Sequence, residues 1–436
     1  MKRVIFDITS KCNLRCAHCY NAEKYFKSNK QDLSFEDCIK LIDKIVDSGY
    51  TTINILGGEP LVRDKFLEII EYACKRNLNI NITTNGTYLD KYTQEKLIEY
   101  GITGLFVSID GGTREINDSI RGKGTFDLAM NNISSFCKKI TESKINMAVG
   151  LSTVITSINV DSIKDLILAC KQNNIPQIAI STLINEGNAT MNWNNFNIES
   201  NVLYTKIIDL VQFAQNVYPE LYIQVGERPL FVWYLNKKYN PHCFYITGYT
   251  GCPLLEGSIY IESDGQIHPC GLYSMEIGKK YEKLGYFDHK KSVKALELSK
   301  LSDAFDTEYY KAFMNGMKEL KKDRYSQACF HCHLKKDCYP CPYQFTQGSL
   351  ICDWTYAELK NWINQLKQMV IVKNTDWKKY LMYLNDFEVD ILKIIINNKS
   401  LNDNYLNIQK KYEDLKLLRF IDLLYNFEKK FLIKLK

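Results

Sequence analysis

The sequence predicts an α/β fold built on a parallel β-sheet, because short apolar runs alternate with longer stretches of helical periodicity. Six strand-like runs lie in the first half of the chain, at residues 4–8, 52–56, 79–83, 105–109, 146–154 and 177–182. Helices are predicted between them at residues 34–47, 65–76, 127–140 and 161–173. Six βα repeats are fewer than the eight of a closed barrel, so the sheet is expected to stay open on one side.

Two of these helices are predicted to begin at capping residues. Ser34 and Asp161 stand at the starts of two of the helical stretches. Each side chain can accept a hydrogen bond from the unpaired N–H groups of a first helical turn. We therefore expect a side-chain cap at both positions.

Length and composition exclude several classes of protein. The chain has 436 residues, 45% hydrophobic and 24% charged, as expected for a globular protein of two or three domains. Its net charge of +6 is too small to indicate nucleic-acid binding. No apolar run approaches the roughly 18 residues of a membrane span, and the start MKRVIFDITSKC lacks the apolar segment of a signal peptide. We expect a cytoplasmic protein, with neither nucleic acid nor membrane as a partner.

Cysteine is the residue type whose high count is informative, with fifteen in the chain. Cytoplasmic thiols stay reduced, so this number favours metal ligation over disulfides. Single cysteines inside helical stretches are predicted core residues: Cys38, Cys74, Cys137 and Cys170. Two sets remain as candidate ligands. They are Cys12, Cys16 and Cys19 after the first strand, and Cys252, Cys270, Cys329, Cys332, Cys338, Cys341 and Cys352 in the second half, with Cys243 as a further candidate.

The first set leaves one coordination position open. Cys12, Cys16 and Cys19 supply three thiolates, and the nearby His18 lies inside the same loop. A structural zinc site is closed by four ligands, whereas a metal held by three keeps a position for a substrate or cofactor. This set therefore favours an iron–sulfur cluster with one open iron.

The motifs around these cysteines resemble the radical S-adenosylmethionine (radical SAM) superfamily. CNLRCAHC (12–19) matches its CX3CX2C signature, and LGGEP (56–60), TTNGTYL (83–89) and VSIDGGTREINDSIRGKGTFD (107–127) follow in family order. The resemblance implies a partial (β/α)6 TIM-like barrel and a [4Fe–4S] cluster on the three cysteines, the catalytic centre. It further implies SAM contacts at His18, Gly57, Gly58, Glu59, Pro60, Thr84, Asn85, Ser108, Asp110 and Arg121. Taken singly, each glycine could equally be an ordinary turn glycine.

The second cysteine set resembles the seven-cysteine SPASM extension of that superfamily. SPASM domains hold two auxiliary [4Fe–4S] clusters, which need eight thiolates, and Cys243 is the candidate eighth. The implied sets are Cys243, Cys252, Cys270 and Cys341 for one cluster, and Cys329, Cys332, Cys338 and Cys352 for the other. Only two residues, Tyr339 and Pro340, separate Cys338 from Cys341, whereas the usual SPASM pattern has three at this spacing. A zinc ribbon using His331 and His333 is the alternative.

Three domains follow from these patterns: a barrel at 1–235, a SPASM domain at 236–355 and a helical module at 356–436. Residues 384–436 resemble, loosely, the helical half of a winged-helix module that binds leader peptides. A helical bundle that caps the barrel explains the same apolar pattern.

The resemblance implies that a 5′-deoxyadenosyl radical abstracts hydrogen from the substrate. The favoured function is a maturase that forms a thioether or carbon–carbon crosslink in a ribosomally made precursor peptide, with flavodoxin or ferredoxin as electron donor. The alternatives are a formylglycine maturase of the anaerobic sulfatase type, a dehydrogenase or epimerase, and a non-catalytic electron carrier. Gly271 stands where the sulfatase type has an aspartate base, which disfavours that alternative.

Overall fold

The structure is a computed structural model. It describes residues 3–22, 31–227, 229–239, 244–245, 257–271, 292–323, 352–355, 357–359, 369–371, 391, 394–395, 407–408, 410–412, 419–424 and 433–435. The chain divides into two compact units. The first comprises residues 1–227, 241–323 and 339–346, and the second comprises residues 228–240, 324–338 and 347–436. The predicted domain boundaries at residues 235 and 355 remain predictions.

A mixed α/β architecture with a parallel sheet forms the first unit, as a partial barrel. Its strands are β1 (Arg3–Asp7), β2 (Thr52–Leu56), β3 (Asn79–Thr84), β4 (Gly104–Ser108), β5 (Ala148–Ile155), β6 (Gln177–Thr182), β7 (Tyr222–Gly226), β8 (Phe244–Tyr245), β9 (Ile259–Ile261), β10 (Gln266–His268) and β11 (Val293–Lys294). Strands β1 to β8 are parallel neighbours in chain order. Strand β9 adds to the other side of β1, also in parallel, and β10 and β11 continue from it in antiparallel.

Helices follow most of the parallel strands. They are α1 (Phe35–Asp47), α2 (Phe66–Lys75), α3 (Lys91–Tyr100), α4 (Arg114–Arg121), α5 (Thr125–Glu142), α6 (Ile163–Gln172), α7 (Asn188–Met191), α8 (Trp193–Phe196), α9 (Ser200–Val217), α10 (Pro229–Tyr239) and α11 (Glu308–Asp323). Short 3-10 helices occur at Pro60–Val62, Ala295–Glu297 and Leu301–Asp306. Along the described chain, none of the helices has the length and apolar character needed to cross a bilayer.

The six predicted strands are confirmed to within two residues at each end, and the sheet continues beyond them. Strand β7 was not predicted, because Gln224 and the flanking tyrosine and glycine leave it with two strongly apolar residues. The cap at Ser34 is confirmed, since its side chain accepts from Asp37 N at 3.0 Å. The cap at Asp161 is wrong: Ser162 precedes α6 and makes no side-chain cap bond.

The two faces of the parallel strands differ in polarity. Alternate residues such as Ile53, Ile82 and Leu105 are buried in an apolar core. The residues between them, such as Asn54 and Asn81, line a cavity of about 550 Å³ inside the partial barrel. Because successive side chains of a strand point to opposite faces, this alternation gives the barrel a polar interior.

The second unit has an aromatic cluster of its own. The ring of Trp354 lies edge-on to Phe231 and Tyr234 of α10, with centroid separations of 6.0 and 6.2 Å. Trp233 Nε1 donates to Asp422 Oδ1 at 3.3 Å. Two further strands, β12 (Met369–Ile371) and β13 (Ile433–Leu435), pair in antiparallel. The predicted helical module falls mostly outside the described residues.

Truncation of the core face of β4 is expected to destabilise the first unit. Leu105 is fully buried, so Leu105→Ala should lower the free energy of unfolding by about 2–5 kcal/mol, through lost burial and the cavity left behind. Leu128→Ala removes the same atoms from a leucine of α5 that is 46% exposed, and it should cost less than about 1 kcal/mol. Chemical denaturation of both variants measures the difference, and equal losses would contradict this description of the core.

Candidate functional site

A cavity of about 610 Å³ opens at the carboxyl ends of the parallel strands. Its walls are the loop after β1, the chain just beyond β2, β3 and β4, and inward-facing residues of β5, β6 and β7. Parallel strands bring their carboxyl ends to one edge, which is where ligands bind in β/α barrels. The sequence-predicted site residues that line it are Cys12, Cys16, His18, Cys19, Gly57, Gly58, Glu59, Thr84, Asn85, Ser108 and Arg121.

The cysteine loop, residues 12–19, is fixed by hydrogen bonds to distant parts of the chain. Ala17 N donates to Ile120 O, at the end of α4, at 2.8 Å. Asn188 donates twice from the start of α7, through its backbone N–H to Cys19 O at 3.0 Å and through Nδ2 to Cys16 O at 2.9 Å. These bonds pair loop groups that have no partner within regular secondary structure, and they therefore set the loop's shape.

The glycine pair after β2 makes room for the cysteine loop. A Cβ atom on Gly58 would lie 2.1 Å from Lys11 O and 3.0 Å from the Cβ of Cys12. Gly57 has a φ of +138°, and a Cβ there would lie 2.5 Å from Thr9 O. Backbone bonds cross this contact, from Gly58 N to Thr9 O at 2.9 Å and from Glu59 N to Lys11 O at 2.8 Å. The absence of side chains at both glycines thus lets the chain after β2 contact the cysteine loop.

Glu59 joins the ends of β2 and β3. Its carboxylate, 1% exposed, accepts hydrogen bonds from Thr84 Oγ1 at 2.5 Å, Asn85 N at 2.6 Å and Leu61 N at 3.1 Å. Burial raises the pKa of Glu59 above its ordinary value, although these bonds oppose the shift. The carboxylate is a rigid acceptor at the cavity wall.

Asp110 and Pro60 do not line the cavity among the described residues. Pro60 is buried at the start of a 3-10 helix. Asp110 is fully buried behind His18 and Arg121, and its Oδ2 lies 2.6 Å from both His18 Nε2 and Arg121 Nε. Burial opposes its ionisation, but the charge of Arg121, followed by His18 and the N–H of Val154, holds the pKa of Asp110 well below its usual range.

The three loop thiols are suited to a positively charged centre. Burial raises the pKa of Cys12 to about 11 and that of Cys19 to about 12, and it raises the pKa of Cys16 as well. Partly buried thiols at these pKa values become thiolates when a metal supplies the balancing charge. Across the described ranges, no three His, Cys, Asp or Glu side chains are grouped as ligands of a single ion. Three thiols that line one cavity are a soft donor set of the kind that binds an iron–sulfur cluster.

Most of the second cysteine set lies outside the described residues: Cys243, Cys252, Cys329, Cys332, Cys338 and Cys341. Cys270 is partly buried just after β10, and Cys352 is buried in the second unit. Of the predicted core cysteines, Cys38, Cys137 and Cys170 are confirmed as buried, whereas Cys74 is partly exposed.

Asp7 is a cavity residue that the sequence reasoning missed. It ends β1, is 1% exposed, lines the cavity, and accepts a hydrogen bond from Tyr260 OH of β9. The signal available in the sequence was an acidic residue ending the apolar run VIFD immediately before the cysteine loop.

Residues 6–170 match the sequence profile of the Radical SAM superfamily. Mycofactocin maturase MftC of Mycolicibacterium smegmatis is 32% identical over 161 residues, which cover 37% of this chain and 39% of MftC. Fe-coproporphyrin III synthase of Methanosarcina barkeri is 35% identical over 185 residues, which cover 42% of this chain and 44% of that enzyme. The chain therefore matches less than half the length of each of these relatives.

A solved structure shares the fold over a longer range. Streptococcus suis SuiB bound to precursor peptide SuiA matches with a TM-score of 0.58 and 17% sequence identity. The match covers 79% of this chain and 72% of that chain. At this level of identity the likeness shows a common fold.

Filling the space at Gly58 should displace the cysteine loop. Gly58→Ala forces Cβ against Lys11 O, so we expect a loss of about 1–3 kcal/mol in stability and a lower iron content after anaerobic reconstitution. Gly226→Ala, at the end of β7, is the matched control, because its Cβ would meet no atom closer than 3.5 Å. Iron analysis and thermal melting compare the two. A Gly58→Ala protein with wild-type iron content and stability would refute the close contact.

Proposed function

We propose, from the premise that residues 6–170 form a radical SAM domain, that the protein is a radical SAM enzyme that modifies a ribosomally synthesised precursor peptide. The observation that carries this proposal is the cavity that brings Cys12, Cys16 and Cys19 together with the strand ends at Glu59 and Asn85. Thiols and a buried carboxylate at one wall suit a ligand that reaches a metal and carries an ammonium group.

The family implies a [4Fe–4S] cluster and SAM as cofactors. When bound, they supply a 5′-deoxyadenosyl radical that abstracts a hydrogen atom from the substrate. The chain contributes three thiols to hold the cluster and the Glu59 carboxylate as an acceptor for the ammonium group of SAM. Arg121, the only lysine or arginine among the described cavity residues, offers N–H donors to a carboxylate.

A peptide substrate is supported by the kinds of protein that this chain resembles. MftC is a maturase, and SuiB was solved with a precursor peptide. The modification in our proposal is a thioether or carbon–carbon crosslink. A formylglycine maturase of the sulfatase type is disfavoured at Gly271, where a Cβ would lie 2.9 Å from the Tyr260 ring. An aspartate there would require that ring to move.

A tetrapyrrole is the second candidate substrate, because Fe-coproporphyrin III synthase matches a similar length of this chain. The coproporphyrins carry several carboxylates, which are bound best by arginine and lysine side chains. Among the described residues of the cavity, Arg121 alone is of that kind, and our proposal already uses it for the carboxylate of SAM. This charge pattern favours the peptide.

The second half of the chain is assigned to an auxiliary-cluster domain and a peptide-binding module. The cysteines from Cys243 to Cys352 would hold two auxiliary [4Fe–4S] clusters in a SPASM domain at 236–355. Residues 356–436 would form the helical module that binds the leader of the precursor. A flavodoxin or ferredoxin would deliver the electron, and the reduced thiols suit a cytoplasmic location.

Removal of the three loop thiols should abolish one cluster and all SAM cleavage. Anaerobic reconstitution of the wild type should give about twelve irons per chain, and the Cys12/Cys16/Cys19→Ala variant should lose about four and release no 5′-deoxyadenosine. Cys74→Ala, which removes a thiol outside the cavity, should match the wild type. SAM cleavage by the triple variant would refute the assignment of the cavity, and zinc in the second cysteine set would refute the auxiliary clusters.

Glu59→Gln should separate SAM binding from cluster binding. The amide puts an N–H2 group where the carboxylate now accepts from three donors, and it removes the charge that faces an ammonium group. We expect SAM affinity to fall at least tenfold, about 1.4 kcal/mol, with iron content unchanged. Equilibrium dialysis with labelled SAM measures the affinity, and Glu95→Gln on α3 is the control. Wild-type affinity in Glu59→Gln would remove Glu59 from the SAM contacts.

A further inference from the structure

We propose that Asp110 is a positioning residue that acts on the cavity through His18 and Arg121 and does not itself touch the ligand. Asp110 is fully buried and absent from the cavity lining, whereas His18 and Arg121 both line the cavity. The inference rests on the proposed function only in taking SAM as the ligand. It assigns to Asp110 a role different from the SAM contact that the motif implied.

One carboxylate oxygen holds both cavity residues. Asp110 Oδ2 lies 2.6 Å from His18 Nε2 and 2.6 Å from Arg121 Nε. His18 belongs to the cysteine loop, and Arg121 ends α4, whose Ile120 O accepts the bond from Ala17 N. The carboxylate therefore ties the loop to the same helix end at a second point, through a hydrogen bond with His18 and an ion pair with Arg121.

The other carboxylate oxygen of Asp110, Oδ1, is hydrogen-bonded to the sheet. Its Oδ1 accepts from Val154 N at 2.7 Å and lies 3.3 Å from Thr153 Oγ1, both on β5. Its backbone N–H donates to Asn117 Oδ1 at 2.9 Å, and its carbonyl accepts from Asn159 Nδ2 at 2.7 Å. With all these bonds made, the carboxylate cannot turn towards the cavity. A shift of β5 would therefore move the Asp110 carboxylate, and with it His18 and Arg121.

One ring nitrogen of His18 is not used by its bond to Asp110. Its bond to Asp110 uses Nε2, and its Nδ1 is buried without a hydrogen-bond partner in the described part of the chain. An unpaired buried polar atom is unfavourable, and a ligand in the cavity that supplies a partner would remove that cost. Arg121 lies near enough to Cys16 and Cys19 to interact electrostatically with their sulfur atoms. The two residues therefore flank the position of a ligand next to the cysteines.

The test compares SAM binding in single and double variants of the reconstituted full chain. Asp110→Asn keeps the shape of the side chain and removes its charge. We expect SAM affinity to fall about tenfold or more, and the change that SAM makes to the electron paramagnetic resonance spectrum of the reduced cluster to shrink. Asp43→Asn is the matched control, because Asp43 also pairs with an arginine, Arg76 Nε at 3.0 Å, but outside the cavity. It should bind SAM as the wild type does.

A double-mutant cycle distinguishes positioning from a merely structural role. If Asp110 acts through its two partners, Asp110→Asn should lose most of its effect on SAM affinity in a His18→Ala/Arg121→Ala background. An undiminished effect there, or wild-type affinity and spectrum in Asp110→Asn, would overturn the inference. Absence of SAM binding by the wild type would instead overturn the proposed function, and the inference with it.

A second double-mutant cycle tests the inference if the Asp110→Asn protein does not fold. His18→Gln and Arg121→Lys leave Asp110 in place and alter the two groups that share its Oδ2. Their effects on SAM affinity should be non-additive, because each change frees the carboxylate for the other partner. Strictly additive effects would overturn the inference.

Discussion

The fixing of the cysteine loop is the constraint on which the site depends. Residues 12–19 belong to no helix or strand, so their polar groups and their shape must be secured from elsewhere. The chain after β2 meets the loop through a glycine pair, α4 meets it through Ile120 O, and α7 meets it through Asn188. Three βα units of the barrel thus converge on one short segment, and folding of the sheet sets the positions of three thiols.

The two faces of the barrel strands differ in their chemistry. The core face of the strands is apolar and packs under the helices, while the inner face carries amides, hydroxyls and a few buried charges. Each of the buried charges Glu59 and Asp110 is held by several hydrogen bonds, and Asp110 also by an ion pair with Arg121, as a charge in a poorly hydrated interior requires. A cavity wall that carries fixed charged and polar groups beside three thiols is suited to a charged cofactor.

Patterns within short segments of the sequence predicted the elements that neighbouring residues determine by themselves. The six apolar runs, the cap at Ser34 and the glycines after β2 all follow from periodicity or backbone freedom. Strand β7 was missed because its sequence is too weakly apolar, and Ser162, not Asp161, precedes α6. The burial of Asp110 behind His18 joins residues 92 positions apart, and the pairing of Asp7 with Tyr260 joins residues 253 apart. Only the register of the folded sheet brings such pairs together.

An anaerobic crystal structure of the reconstituted protein with SAM would test the central claim most directly. The anomalous signal of iron locates each cluster independently of the protein density. Our account predicts a cluster on Cys12, Cys16 and Cys19, with SAM in the cavity beside it, between Glu59 and the His18–Arg121 pair. Iron absent from those three cysteines, or SAM bound in the second cavity around Asn54 and Asn81, would contradict it.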